Sequence, residues 1–377
     1  MAIRKRYLIL ISALMLMAFV FVAVLVALVL TFALVEVTSA PLIETTRSDS
    51  LSTRIEKSEE WQEKLFKNRE FNGAILVIKD GEVLVSNCCG YTDASKKVKL
   101  TPQTPMRLAS VSKQFTAAGI LVLAQQEKVG LDDLVTLHLK DFPFEDVTVK
   151  HLLNMTSGVP DCYMDLAEKY KNELGEFLTI SDVPRLISKY PPTRENAVNV
   201  AHDYSNTSYV LLAAIVESAS GSRFEEFMAD ELFGPLGMKN TRVWNLVSKN
   251  KSSGQAKTFI GSRDQVPTFL DGVAGDGAVF CCLEDFVIWN QFWRGNDLVS
   301  PELMKQALER PSLANDTLSD YGFGWRIESD CHWHSGLWLG ANTLIYQDDD
   351  FFVVVLDNSG SLIVDSMGQE LRRVFDE

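Results

Sequence analysis

Ser110-Val111-Ser112-Lys113, Tyr204-Ser205-Asn206 and His334-Ser335-Gly336 follow one another along the chain and hold the side-chain types that nucleophilic acyl transfer requires. A serine hydroxyl is a poor nucleophile at neutral pH and needs a base within hydrogen-bond reach. A lysine three residues further along a helix lies on the same face, with Cβ atoms about 5 to 6 Å apart. Because a lysine amine ordinarily titrates near about 10.4, it serves as that base only where burial or neighbouring cations hold it neutral. Ser110 would then sit in a first helical turn, where unpaired N–H groups and the helix dipole favour developing negative charge. The competing reading of Ser110 alone is a helix N-cap.

Context separates these residues from look-alikes. Residues 110–129 read as a helix, with Ala117, Ile120, Leu121, Val122 and Leu123 forming a broad apolar surface and Gly130 a stop. Ser248 and Lys251 repeat the spacing in a polar stretch with no apolar helix behind it, and Tyr170 and Asn172 repeat Tyr-x-Asn in a charged segment read as a solvated helix face. Tyr204 and Asn206 instead lead into the apolar run 209–216, so they stand at the mouth of a buried helix and can face a cleft.

The chain resembles the penicillin-binding-protein-like serine hydrolases related to class C β-lactamases. The resemblance covers roughly residues 60–377 and rests on ordered segments: Phe71-Asn72-Gly73 with Lys79-Asp80-Gly81, residues 106–118, 151–161 and 233–238, Ala274-Gly275-Asp276-Gly277, and His334-Ser335-Gly336 followed by residues 353–358. It implies that Ser110 forms an acyl-enzyme, that Lys113 accepts or relays its proton, and that Tyr204 shares the acid/base work. Asn206 would hydrogen-bond the substrate amide or the lysine. The backbone N–H groups of Ser110 and Leu337, beside Gly336, would form the oxyanion hole. The third motif departs from the Lys-Thr-Gly of many β-lactamases and transpeptidases. An imidazole titrates near about 6.5, so charge at His334 is expected to be conditional. That suits an esterase or a peptidase on small or D-amino-acid-containing substrates better than a β-lactamase. Bulky Leu337 and Trp338 would narrow the cleft, and no Glu-x-x-Leu-Asn motif supplies a carboxylate for deacylation.

These residues need a scaffold that joins distant segments. Residues 74–78 and 82–88 flank Asp80-Gly81, a strong hairpin signal. Residues 322–327, 331–335, 342–347 and 351–357 read as further strands, and 363–374 as a closing helix. The expected fold is therefore α/β (α+β): a β-lactamase/transpeptidase-like antiparallel sheet flanked by helices, with a helical subdomain and the cleft at their seam.

Residues 7–35 contain no charged side chain. As a helix they would run about 43 Å, against a hydrocarbon core of about 30 Å. The run is too long for a signal-peptide core, although Thr38-Ser39-Ala40 resembles a cleavage site, and Arg4-Lys5-Arg6 before it predicts a cytoplasmic N-terminus. The expected organisation is an N-terminal membrane anchor over 1–37, a linker over 38–60 with a short helical end, and a serine hydrolase domain over 61–377 outside the membrane.

The chain carries a net charge of −14, which argues against nucleic-acid binding. Six cysteines, at 88, 89, 162, 281, 282 and 331, read mainly as small buried hydrophobes, with a disulfide or two left open. No Cys-x-x-Cys spacing supports a metal site built on Cys331, His332 and His334. No metal or organic cofactor is expected, and the partners are a small-molecule or peptide substrate and the membrane. His138, His151 and His202 read as structural. Asn154, Asn206, Asn250 and Asn315 begin glycosylation sequons, and a glycan on Asn206 would block the cleft. Two function classes remain: an acyl-enzyme hydrolase of esters, D-amino-acid peptides or amides, and a non-catalytic member of the same fold that binds cell-wall peptides or a partner. β-Lactam hydrolysis is a narrower alternative within the first.

Overall fold

Asp80 and Gly81 both take positive φ, 53° and 80°, the turn geometry that matches the twist of two flanking strands. They join β1 (Gly73–Lys79) to β2 (Glu82–Cys89). The computed structural model describes residues 39–194, 196–247 and 254–376 of the chain; the expected membrane segment and the Ser248/Lys251 pair lie outside the described residues. Among the described residues, no helix is long and apolar enough to cross a membrane.

Four more strands complete the sheet: β3 (Arg326–Ile327), β4 (His332–Trp338), β5 (Ala341–Gln347) and β6 (Phe351–Asp357). Their order is β2-β1-β6-β5-β4-β3, with every neighbouring pair antiparallel. β6 lies in the middle and is buried at all seven positions, which explains its unbroken apolar sequence: both faces are covered. Helices α1 (Leu51–Lys67) and α5 (Val364–Asp376) cover one face. The other carries the main core with α2 (Ser112–Gln125), α3 (Asn206–Ser220) and α4 (Leu283–Arg294), where Phe115 stacks on Trp289 at 3.9 Å.

Two expectations need correction. The strand over 322–327 shrinks to two residues because Gly322 donates back to the Trp325 carbonyl and Phe323 to that of Ala307, turning the chain against a helix end. The linker over 38–60 is also too long: the compact unit begins at Ile43, and α1 starts at Leu51 behind the N-cap Ser50. Arg373 donates to the Ile43 carbonyl at 2.8 Å, and Arg54 reaches the Val374 carbonyl, so these residues are clamped onto α5. All six cysteines are free thiols, and those at 89, 281, 282 and 331 are buried, in keeping with the small-hydrophobe reading. Burial pushes the Cys88 and Cys282 thiols up to about 12, so they are poor nucleophiles.

Candidate active site

A short ladder places the nucleophile segment at the seam. Met106–Arg107 pairs with Val279–Cys281, which also pairs with Arg242–Val243. After Arg107 the chain makes a 3-10 turn at Ala109–Val111 before entering α2. Ala109 takes φ +48° in a buried position, a left-handed conformation that costs a non-glycine residue roughly 1 to 3 kcal/mol. The turn presents Ser110 at the end of the strand. Ser110 is not an N-cap, because its Oγ accepts from Lys113 Nζ at 3.0 Å.

Lys113 is wholly buried and its amine meets two further acceptors, Asn206 Oδ1 at 2.8 Å and the Asp276 main-chain carbonyl at 2.9 Å. Two of these three contacts can only accept. As an ammonium Lys113 donates to all three, but of the three only the Ser110 hydroxyl can reverse its bond and donate, so an amine that has given up one proton would turn its lone pair to Ser110. The site therefore orients Lys113 as a base in its uncharged form. Asn206 is held in turn by Nδ2 donating to Asp161 Oδ2 at 2.8 Å, and Asp161 Oδ1 accepts from the Thr207 amide at 3.0 Å. Gly275 takes φ +110°, and a Cβ there would lie 2.4 Å from the Tyr209 carbonyl. That close approach to α3 brings the Asp276 carbonyl onto the lysine.

Tyr204 lies beside this pair, with Lys113 Nζ 5.0 Å from its ring centroid. The lysine meets the ring face, and the phenolic oxygen makes no hydrogen bond to Ser110 or Lys113. Gly336 is where β4 passes the nucleophile: a Cβ would fall 2.4 Å from the Leu108 carbonyl, 2.6 Å from Thr343 Oγ1 and 2.8 Å from the Ser110 amide nitrogen. Leu337, 63% exposed, and Trp338 form the adjacent wall of a cleft of about 250 Å³ that also includes Ser110, Tyr204 and Asn206.

His334 is the residue that departs from expectation. Its side chain is only 2% exposed, and it does not line the cleft. Its Nδ1 lies 2.6 Å from the Ser335 carbonyl, which can only accept, so Nδ1 carries the proton and Nε2 accepts from the Tyr321 hydroxyl at 3.0 Å. Burial, followed by the nearby Lys113 and Arg326 charges, holds the imidazole down to about 3. It is neutral at physiological pH, and the conditional cation expected on the third motif is absent. It sits buried on β4, bonded to Tyr321.

The remaining expectations separate cleanly. Tyr170 stacks on Tyr190 at 3.6 Å, and neither Tyr170 nor Asn172 lines the cleft. His138 pairs with Asp133, His151 closes a capping box with Thr148, and His202 faces Asp320. Asn154 is buried. Several cleft residues received no role from the sequence. Arg107 and Asp271 form a buried ion pair at 3.0 Å, and Asp271 also accepts from Trp338 Nε1 at 3.1 Å. Tyr163 donates to Asp276 Oδ2 at 2.9 Å. Arg107, Asp161 and Asp276 all lie in segments that carry the family resemblance, which was the available signal. That Asp276 acts on Lys113 through its main chain has no side-chain signature.

The profile of the Beta-lactamase family matches residues 60–371, and the chain belongs to that family of penicillin-binding-protein-like serine hydrolases. It is 32% identical over 321 residues to penicillin-binding protein 4* of Bacillus subtilis (strain 168), covering 78% of this chain and 70% of that protein. Protein flp of Staphylococcus aureus (strain MW2) is 29% identical over 79% of this chain, which spans only 61% of the flp length. A solved β-lactamase/D-alanine carboxypeptidase from Yersinia pestis superposes with a TM-score of 0.66 at 20% identity, over 86% of this chain and 98% of that one.

Proposed function

We propose that the chain is a membrane-anchored serine hydrolase that works through an acyl-enzyme on esters, D-amino-acid peptides or amides. The observation that carries this reading is the buried Lys113 amine, whose two obligate acceptors leave its third position for the Ser110 hydroxyl. In the proposed reaction the Ser110 oxygen attacks the acyl carbon as its proton passes to Lys113, and the N–H groups of Ser110 and Leu337 stabilise the tetrahedral oxyanion. The proton then returns to the leaving group, and water attacks the ester in a second cycle. Tyr204 borders the path of the leaving group and is proposed to relay protons there once substrate tightens the site. The neutral His334 removes a cation that would hold a β-lactam carboxylate, which favours esters and D-peptides over β-lactams. The proposed anchor is the uncharged run 7–35, with the hydrolase domain outside.

A serine-directed fluorophosphonate probe tests the reading on wild type, Ser110→Ala and Ser248→Ala. Labelling that disappears only in Ser110→Ala is expected. A folded wild type that stays unlabelled would instead favour the non-catalytic, peptide-binding member of the fold.

A further inference from the structure

The cleft has a direction, and β4 sets it. His334, Gly336 and Trp338 are alternate residues of one strand in unbroken register with β5, so they share a face and follow one another at steps of about 6 to 7 Å. The Tyr204 ring lies 6.2 Å from that of His334, and Gly336 is the residue pressed against the Ser110 amide. Trp338 comes one step further on, so it and Tyr204 stand at opposite ends of the cleft with Ser110 between them. Since Tyr204 borders the proposed path of the leaving group, the acyl group is left with the Trp338 end. Leu270 and Val273, which flank Asp271, supply the apolar wall there.

Trp338 is not a loose flap. Its Nε1 donates to Asp271 Oδ1 at 3.1 Å, the oxygen that also pairs with Arg107 Nη1 at 3.0 Å. Asp271 Oδ2 accepts from the Thr268 amide at 2.7 Å and from the Thr268 hydroxyl at 3.2 Å, so each oxygen is occupied and the carboxylate acts as a clamp within the protein. Arg107 is committed as well, buried against the rings of Trp244 and Phe280 at 5.8 and 5.2 Å. Asp271 itself belongs to a 3-10 turn, Phe269–Gly272, that is fastened elsewhere: the Leu178 amide donates to the Phe269 carbonyl at 2.9 Å, and a Cβ on Gly272 would lie 2.2 Å from the Leu178 carbonyl. The indole thus spans from the sheet to a second, independently held wall and bounds the acyl end of a cleft of about 250 Å³. Sites for drug-sized ligands run from roughly 300 to 1,000 Å³.

We propose that Trp338, held in place by Asp271, is a specificity residue that ends the acyl side of the cleft, so that the protein takes short apolar acyl groups and excludes long ones. This rests on the reading of the cleft as an acyl-enzyme site and narrows the substrates of that site. Each methylene that fits gains burial worth about fourfold in binding. One that meets the clamped indole gains nothing, and it has to displace a side chain whose N–H bond to a buried carboxylate is charge-assisted.

The test compares kcat/KM of the full chain on p-nitrophenyl butyrate and p-nitrophenyl octanoate, esters with one leaving group that differ only in acyl length, in the parent, Trp338→Ala and Trp338→Phe. The ratio of the two is read within each protein, so a variant that merely lowers both rates alike leaves it unmoved. The parent is expected to favour butyrate by on the order of tenfold, and Trp338→Ala to raise the octanoate-to-butyrate ratio by on the order of tenfold. Trp338→Phe keeps an aromatic ring without the N–H and should move the ratio part of the way. A parent that takes octanoate as readily as butyrate, or a ratio that Trp338→Ala leaves unmoved, would overturn the proposal while the hydrolytic reading stands. A Trp338→Phe ratio equal to the parent's would overturn the part assigned to Asp271. If the parent turns over neither ester, ligand-observed NMR with butanamide and octanamide on the Ser110→Ala chain, with and without Trp338→Ala, reads the wall by itself. Octanamide that binds only once Trp338 is removed supports the inference although hydrolysis has failed, and octanamide binding that the substitution does not change refutes it.

Discussion

Replacing His334 by asparagine should make the protein markedly more resistant to acid than wild type. The imidazole is held down to about 3 in the folded protein and returns to about 6.5 on unfolding. Below pH 6.5 the unfolded chain takes up a proton that the native chain refuses, so stability is lost as pH falls toward 3. At pH 7 the penalty is negligible. At pH 4 the unfolded histidine is almost fully protonated and the native one is not, and at about 1.36 kcal/mol per pKa unit the penalty reaches roughly 3 kcal/mol. Asparagine keeps a donor for the Ser335 carbonyl but loses the Tyr321 bond, a constant cost of about 1 to 3 kcal/mol at every pH. Buried Asp276 and Asp357, whose titrations are raised, push the other way, but they do so in both proteins and cancel in the difference. Guanidinium unfolding at pH 7 and pH 4 should therefore show wild type losing about 3 kcal/mol more than His334→Asn. Parallel losses in the two proteins would mean that His334 is charged or solvated in the fold, and the argument against a cation on the third motif would fail with it.

Asn206→Ala cuts the link between Lys113 and Asp161, and the rate of phosphonate labelling should fall by about 10² to 10⁴ while circular dichroism is retained. Gly336→Ala drives a methyl group into the Leu108 carbonyl, Thr343 and the Ser110 amide, so labelling should be lost with about 1 to 3 kcal/mol of stability, read together by probe and thermal melt. Arg107→Ala strands Asp271 in a buried site and should cost about 3 to 5 kcal/mol in denaturant unfolding, whereas Arg107→Met combined with Asp271→Leu should recover part of that loss.

The elements most legible in the sequence were those fixed by local rules. The Asp80-Gly81 hairpin follows from turn chemistry, β6 from an unbroken apolar run, and Ser110 and Lys113 from a three-residue spacing that only a helical start brings together. What sequence reasoning missed depends on partners far away in the chain. Gly322 and Phe323 looked extended until Ala307 and Trp325 supplied acceptors that bend them. Residues 43–60 looked like a polar tether because the carbonyls that Arg54 and Arg373 clamp are main-chain groups with no sequence signature. His334 was the instructive failure, since its motif position suggests a ligand-facing cation and only the packing of Tyr321 beneath it reveals a buried neutral ring.

The pairing of β1 with β6 also sets the order of events during synthesis. Gly73 meets Asp357 across the middle of the sheet, so a strand made early must wait for one made almost last. At roughly 5 to 20 residues per second, the β1–β2 hairpin exists for about 15 to 60 s with an open hydrogen-bonding edge. For most of that interval β4 and β5 have not yet been made, and Ser110 has no strand passing beside it. A nascent chain released just before residue 351 would carry the nucleophile, the lysine and the asparagine yet lack the central strand that joins β1 to β5. The protein thus guards its chemistry in time: the sheet beside the nucleophile is complete only when the final strand arrives.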